Sequence, residues 1–471
     1  MKRRIGILTS GGDCPGLNAT IRGVAKACYH QFGNDVEIVG IQDGYHGLIH
    51  NLCKEMVPSD FSGILTTGGT IFGTKRTPFK MMQVVEEDNI DKVKAMKQTY
   101  KKQKLDCLLT LGGNGTHKTA NLLATEGLNV IGLPKTIDND IWGTSITFGF
   151  HTAVDIATDV IDRLHTTANS HGRILVVEIM GNKAGWLTLY SGVAGGADMI
   201  VLPEIPYQIE KLCEACEKRS KAGKGFSILA VAEGAMDQEE ANMKKKERAK
   251  RRAEAGITTA TGRIAKQIEA TTGLETRVCV PGHMLRGGSP SAYDRILATQ
   301  FGVRAAQLIA EEKFGYAVAM IQDKVSENLL ADVAGKTKFV PKDAAVIRLD
   351  QDVEVRIRLI DCVGYMVKGA SGHEEAGHER MVKTPWYQEE IPFTKAAVIG
   401  TQKVIHEHAT IGIVVTTDGT ITDILPENYE DAEARTIREL QSIRKPFVVL
   451  VNSKKPHGQE AKEKAKKLED T

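Results

Sequence analysis

The chain opens with a short unbroken apolar run, RIGILTS (residues 4–10). It ends in a glycine turn, GGDCPG, and leads into the helix-period stretch LNATIRGVAKACYH. That succession predicts a buried strand, a turn and a helix. The unit recurs. SGILTTGG (62–69), LDCLLTLGGNG (105–115) and NVIGLPK (129–135) each run an apolar strand into a glycine or proline turn. ILVVEIMG (174–181), MIVLPE (199–204) and FSILAVAEG (226–234) extend the series. Apolar runs separated by helical segments predict an α/β fold, with parallel sheets covered by helices on both faces. Ligands of such sheets sit beyond the carboxyl ends of the strands, and every glycine motif above is expected there.

The pattern breaks near residues 346–354. Beyond it, VEVRIRLIDCVGY (353–365), ATIGIVVTTDG (409–419) and PFVVLVNS (446–453) read as strands with polar ends. The helical stretch YEDAEARTIRELQSI separates the last two. A region 1–348 made of two interwoven α/β lobes is therefore expected, followed by a second, incomplete α/β unit at 349–471.

Length agrees, since 471 residues exceed one compact domain. The net charge of +2 gives no bulk attraction to nucleic acid or membrane, and neither is expected as a partner. No stretch approaches the roughly 18 apolar residues that span a bilayer. Glycines and Asp13 follow the basic N-terminus at once, which argues against a signal peptide. Eight scattered cysteines suit a reducing cytoplasm. Cys213 and Cys216 form a CxxC without a second Cys/His pair, so no metal is expected there. The run MKKKERAKRRAE (243–254) reads as a solvated helix face.

The chemistry lies in the turns. A glycine turn at a strand end lets backbone N–H groups approach phosphate, and the following helix N-terminus adds positive potential. GGDCPG and GGNGTH both have this form, and GGTIFGTKR (68–76) adds Lys75 and Arg76. A hydroxyl that accepts a phosphoryl group needs a base, and the transferring group needs cationic support. In GLPKTIDNDI (132–141), Asp138 is the base candidate, while Asp140 should face elsewhere along an extended segment. Taken in isolation, the two aspartates also fit the capping of a turn. Thr136 offers a donor and Lys135 a charge. Arg173, Arg277 and Arg286 suit the phosphate of a sugar phosphate, with His283 and Glu233 on its hydroxyls. His283 alone equally fits a satisfied buried histidine.

The order and spacing of these motifs closely resemble the 6-phosphofructokinase family over residues 1–345. The resemblance implies ATP-dependent phosphorylation of fructose 6-phosphate with Mg²⁺ as cofactor. It places Gly11, Lys75, Gly113, Asn114, Gly115 and Thr116 by the nucleotide, with Arg76 bridging donor and transferred phosphate. Asp138 matches the aspartate that activates the 1-hydroxyl, with Thr136 and Asp140 beside it. Lys135, Met180, Gly181, Glu233, His283 and Arg286 match positions around the sugar phosphate. Arg173 and Arg277 match arginines that reach the site from a neighbouring subunit, which implies a homo-oligomer. Gly115 resembles ATP-using members and Lys135 resembles pyrophosphate-using ones. Some long ATP-dependent members pair the two, so ATP is the expected donor and pyrophosphate the alternative. The family's metal-associated aspartate is Asn114 here, which weakens a contact to a hard cation. Either phosphates and water hold the metal, or activity is reduced. Of the bacterial effector helix Arg22 is kept, but Lys26 stands at its second basic position, which leaves allostery open.

Residues 350–471 resemble part of stage IV sporulation protein A, through RLIDCVGYMVKGA, MVKTPWYQEEIPF, EHATIGIVVTTDGT and KPFVVLVNSKKP. The resemblance implies a Walker B role for Asp361 and places Asn452 near the base-recognition strand. The GxxxxGK[ST] loop is missing, so no nucleotide hydrolysis is expected in the tail. Two partial families meeting near residue 348 read as a chimeric reading frame. Without its first strand and loop helix, the tail sheet should keep unpaired edges and exposed apolar surface. A different reading is a non-catalytic structural protein whose tail docks onto a spore coat.

Overall fold

Buried strands of the first region contain almost nothing but apolar side chains, and they assemble into one mixed and one parallel sheet. A computed structural model describes residues 2–469 except 86–89, 224, 255, 257–258, 322, 342–344, 351–352, 358–363, 371, 376–377, 385–386, 388, 409–411, 422–423, 444–445 and 456–457. It falls into two compact units, Met1–Lys342 and Asp343–Thr471.

In the first unit β1 (Arg3–Ser10), β2 (Val36–Ile41), β3 (Cys53–Met56), β4 (Cys107–Gly112), β5 (Val130–Pro134), β10 (Tyr316–Ile321) and β11 (Lys324–Leu329) form one sheet. Its order is β11-β10-β5-β4-β1-β2-β3. The five inner strands are parallel, and β3 and β11 run antiparallel at the edges. The second sheet joins β6 (Ile174–Ile179), β7 (Met199–Val201), β8 (Ser227–Ala232) and β9 (Thr276–Cys279), all parallel, in the order β7-β8-β6-β9. Strands β4, β5, β6 and β8 are buried at every position. The helix Phe150–His171 carries the chain from one sheet to the other.

Packing of the helices Leu17–Phe32 and Ala292–Ala310 demands a small residue. A Cβ on Gly302 would stand 2.5 Å from Val24 N and 2.9 Å from Thr20 O, so backbone meets backbone there.

Two expectations change. SGILTTGG is not a strand. Ile64–Thr66 forms a single 3₁₀ turn after Gly63, which has φ 76°. The Asn18 side-chain amide donates to Thr67 O and Gly68 O, so these carbonyls are satisfied without a sheet ladder. The basic run is not simply solvated. It forms the helix Lys245–Glu254, and Arg252 ion-pairs at 2.7 Å with the fully buried Glu240. Arg263 joins it at 2.9 Å. Burial pushes the Glu240 carboxyl up, but hydrogen bonds from Arg252 and Arg263 outweigh it and hold the group down to about 2. Cys213 and Cys216 are core residues on the helix Ile209–Lys221, and burial pushes the Cys216 thiol up to about 12.

In the second unit, Val353–Ile357 folds back antiparallel on Ala345–Asp350 instead of starting a parallel strand. Asp361 lies outside the described residues. The strands Gly412–Thr417 and Phe447–Asn452 pair in parallel. One face packs through Val414 against Ile405 and Leu440. The other presents the register pairs Ile413–Val448 and Val415–Leu450, each residue 49–65 % exposed. Among the described residues, no helix of the chain is long and apolar enough to cross a membrane.

Candidate active site

The site forms where β1, β4 and β5 end, facing the ends of β6 and β8. After β1, Gly11 adopts φ 90°, a left-handed conformation that glycine tolerates. A Cβ on Gly12 would stand 2.7 Å from Arg286 Nη1 and 3.5 Å from Arg76 Nη2, so this glycine lets two guanidinium groups close on the turn. The loop 68–76 follows no strand. Tertiary hydrogen bonds dock it instead: Thr74 donates to Gly11 O at 2.7 Å, Thr9 to Gly73 O at 2.8 Å, and Ile71 N–H to Asn18 Oδ1 at 2.8 Å. Lys75 pairs with Asp43 at 2.9 Å. Arg76 is exposed and has no hydrogen bond or ion pair among the described residues.

After β4 the helix Asn114–Thr125 begins without a side-chain cap at Gly113, which leaves N–H groups at its first turn for an anion. Nothing lies within 4 Å of where a Cβ on Gly115 would stand. Thr116 donates its hydroxyl to Ser10 O at 3.3 Å. Asn114 donates its amide to Asp140, and its Oδ1 is buried without a partner.

After β5, Lys135 donates its ammonium to Gly12 O, and burial lowers its pKa. The Thr136 hydroxyl accepts Asp138 N–H at 3.0 Å. Asp140 has a partner of its own, accepting from the Asn114 amide, while its charge also acts on Asp138. Asn139 takes φ 50°, so the chain bends between the two aspartates. Burial first, then the neighbouring charges of Asp140 and Glu233, push the Asp138 carboxyl up to about 6 against the pull of Arg286 and Lys135. Asp138 Oδ1 is buried with no hydrogen-bond partner among the described residues.

Across the cleft, Met180 and Gly181 follow β6. Gly181 N–H (3.2 Å) and Asn182 N–H (2.7 Å) both donate to Glu233 Oε1, so that oxygen already braces a loop. Arg286 donates to Asp13 O at 3.3 Å. His283, in the 3₁₀ turn Gly282–Arg286, is exposed, which removes the buried-histidine reading.

Arg173 and Arg277 are not brought to this cluster. Arg173 precedes β6 and Arg277 pairs with Leu175 near its start, whereas Met180 follows its end. The intervening strand spans about 20 Å. Both arginines bind Glu275, Arg173 at 2.8 Å.

Several residues at the site were not singled out in the sequence, although Asn18, Thr74 and Asp294 lie within or beside its motifs. Asn18 and Thr74 hold the loop that bears Arg76. Fully buried Asp294 accepts Gly149 N–H at 2.9 Å and Thr152 N–H at 2.8 Å, which caps the helix between the sheets. Lys338 reaches the aspartate loop from far along the chain. Their roles are tertiary, and Lys338 alone lies outside every motif.

Residues 4–309 match the family model of phosphofructokinase. The chain belongs to the phosphofructokinase family. An ATP-dependent 6-phosphofructokinase of Spirochaeta thermophila is 55% identical over 348 residues, which cover 73% of this chain and 94% of the relative. ATP-dependent 6-phosphofructokinase 3 of Bacteroides thetaiotaomicron is 48% identical over 341 residues, 72% of this chain and 95% of that one. Among solved structures, phosphofructokinase from Saccharomyces cerevisiae superposes with TM-score 0.60 at 29% identity, covering 70% of this chain and 45% of the yeast chain. A pyrophosphate-dependent phosphofructokinase from Marinobacter aquaeolei shares the fold, with TM-score 0.61 at 20% identity over 72% of this chain and 86% of its own.

Residues 322–471 match the family model of stage IV sporulation protein A, ATPase domain. That match begins inside the phosphofructokinase unit, because Lys324–Leu329 is the edge strand β11 of its large sheet.

Proposed function

We propose that the chain transfers the γ-phosphoryl group of ATP to the 1-hydroxyl of fructose 6-phosphate, with catalysis confined to the first unit. The observation that carries this reading is Asp138. Its side chain is half-buried, its buried Oδ1 has no hydrogen-bond partner among the described residues, and it is held at about 6, between Lys135, Arg286 and Glu233. A carboxylate so placed is ionised at neutral pH and still basic enough to take a proton from an alcohol.

Asp138 accepts the 1-hydroxyl proton as the oxygen attacks. Arg76, without a hydrogen bond or ion pair among the described residues, spans donor and transferred phosphate. Lys135 and the N–H groups at Gly11 and at the start of the helix Asn114–Thr125 stabilise the phosphate oxygens. Thr136 fixes the backbone of Asp138. Met180, Gly181, Glu233, His283 and Arg286 bind the sugar phosphate. The open space at Gly115 suits a nucleotide, whose α-phosphate a side chain would crowd.

The Asn114 oxygen, buried and without a partner beside the Asp140 carboxylate, suits a hard divalent cation. When bound, Mg²⁺ neutralises charge on the donor phosphates. Among the described residues no group of three or more His, Cys, Asp or Glu could hold it, so the phosphates and water supply most of its ligands. Arg173 and Arg277 serve a neighbouring copy's site, which makes the enzyme a homo-oligomer. The free cysteines fit a cytoplasmic enzyme.

Purified chain assayed with fructose 6-phosphate and Mg²⁺, with ATP and pyrophosphate in parallel, tests this. Turnover with ATP is expected. Turnover with pyrophosphate alone would assign the donor to Lys135 over Gly115, and turnover with neither would overturn the assignment.

A further inference from the structure

The left-handed residue between Asp138 and Asp140 has an unusual support. Asn139 sits at φ 50°, a left-handed conformation that a residue with a Cβ seldom adopts unless something holds it. Its side chain is gripped on both ends. Asn139 Nδ2 donates to Ser145 O at 3.3 Å, and Asn139 Oδ1 accepts from Lys338 Nζ at 3.1 Å. The same ammonium donates to Thr144 O at 2.9 Å and Ser145 O at 2.8 Å, so its three protons are all used on this loop.

The backbone of the segment makes a second set of contacts. Lys338 N–H donates to Asp140 O at 2.8 Å, and Thr337 bridges Ile141. Lys338 O accepts the Trp186 indole N–H at 2.9 Å. Val340 N–H donates to the buried Glu204 at 3.0 Å, whose carboxylate also takes Gly185 N–H at 2.9 Å. Trp186 and Gly185 follow the loop that carries Gly181. Residues 337–340 therefore fasten the aspartate loop of one lobe to the sugar-side loop of the other. Lys338 lies outside the stretch matched by the phosphofructokinase model, residues 4–309.

We propose that Lys338 is a positioning residue for phosphoryl transfer, acting through Asn139 to hold the bend that sets the Asp138 carboxylate against the acceptor hydroxyl. The proposal rests on the phosphofructokinase reading, which wild-type turnover tests by itself. Lys338→Met keeps the aliphatic stem and removes the ammonium. A base misplaced by a fraction of an ångström loses turnover while sugar binding persists. We expect kcat to fall about 10- to 100-fold, with the KM for fructose 6-phosphate within about threefold of wild type.

Asn139→Gly separates positioning from general support, because glycine adopts the left-handed bend without a side-chain grip. If Lys338 acts through Asn139, the double variant should lose no more kcat than Asn139→Gly alone, an interaction that a double-mutant cycle reads directly. Additive losses, a kcat for Lys338→Met within about twofold of wild type, or loss of its cooperative thermal unfolding would each overturn the proposal. Wild-type enzyme without turnover would instead overturn the functional reading.

Discussion

Asn114 turns its amide toward Asp140, with Nδ2 3.2 Å from the backbone oxygen and 3.3 Å from Oδ2, and buries its own Oδ1 without a partner. An aspartate at 114 could not make this contact, because a carboxylate has no proton to donate. The departure from the family's acidic residue is therefore accommodated, and Asp140 gains a neutral neighbour.

Asn114→Asp would set two carboxylates face to face. Without metal the variant should lose about 1 kcal/mol of stability to like-charge repulsion. With metal the added charge favours the cation, and the half-activating Mg²⁺ concentration should fall several-fold. Initial rates across a Mg²⁺ titration, with melting curves in a chelator, measure both. An unchanged Mg²⁺ requirement would remove Asn114 from the metal site.

Asp138→Asn should lower kcat by about 10²- to 10⁴-fold and move the KM for fructose 6-phosphate by less than about threefold. The same change should stabilise the fold at alkaline pH. The Asp138 pKa rises from 3.8 to about 6 on folding, so the folded state holds the extra proton between those values. Stability is then fully present at low pH and is lost as pH rises through about 6. The asparagine has no charge to bury and should gain up to about 3 kcal/mol over wild type at pH 8. Urea unfolding at pH 4 and pH 8 reads the difference, which should nearly vanish at the lower pH.

The rate should report the same group. Asp138 must be ionised to accept a proton, so kcat/KM should fall with unit slope below about pH 6. A log kcat/KM profile level from pH 7 to pH 5 would identify a different base.

Gly115→Asp should reduce kcat/KM for ATP by about 100-fold or more, because a charged side chain would fill space now open beside the helix N-terminus. Pyrophosphate should then compete better as donor. Equal ATP kinetics in the variant would mean that Gly115 does not face the nucleotide.

Arg277 and Asp138 offer a test of shared sites. Arg277→Ala and Asp138→Asn should each be nearly inactive alone. If a neighbouring copy's arginine completes the site, subunits unfolded and reassembled together should regain roughly a quarter of wild-type activity, the random-mixing expectation for a two-subunit site. Mixtures no more active than the separate variants would place Arg277 outside catalysis.

Local pattern carried most of the framework. β1, β4, β5, β6, β7 and β8 are continuous apolar runs closed by glycine, proline or polar residues, and each is a strand where the pattern indicated. SGILTTGG misled because its residues suit a strand, while Asn18 from another element had already taken its carbonyls. The basic run misled in a similar way. Nothing in MKKKERAKRRAE shows that buried Glu240 waits for Arg252.

The sequence by itself determined the inventory: which residues stand at strand ends, that Asp138 follows a Pro-Lys-Thr turn, and that Asn and Gly occupy positions 114 and 115. Those are local properties, set by side-chain type and spacing. Tertiary structure decided how they work together. It set Asn139 in a left-handed conformation between the two aspartates, lifted the Asp138 pKa by burial, and left Arg173 and Arg277 at the far end of β6. It also brought Lys338 to Asn139 across 199 positions. Such contacts join residues remote in sequence, and their energies depend on desolvation and distance, which no local pattern encodes.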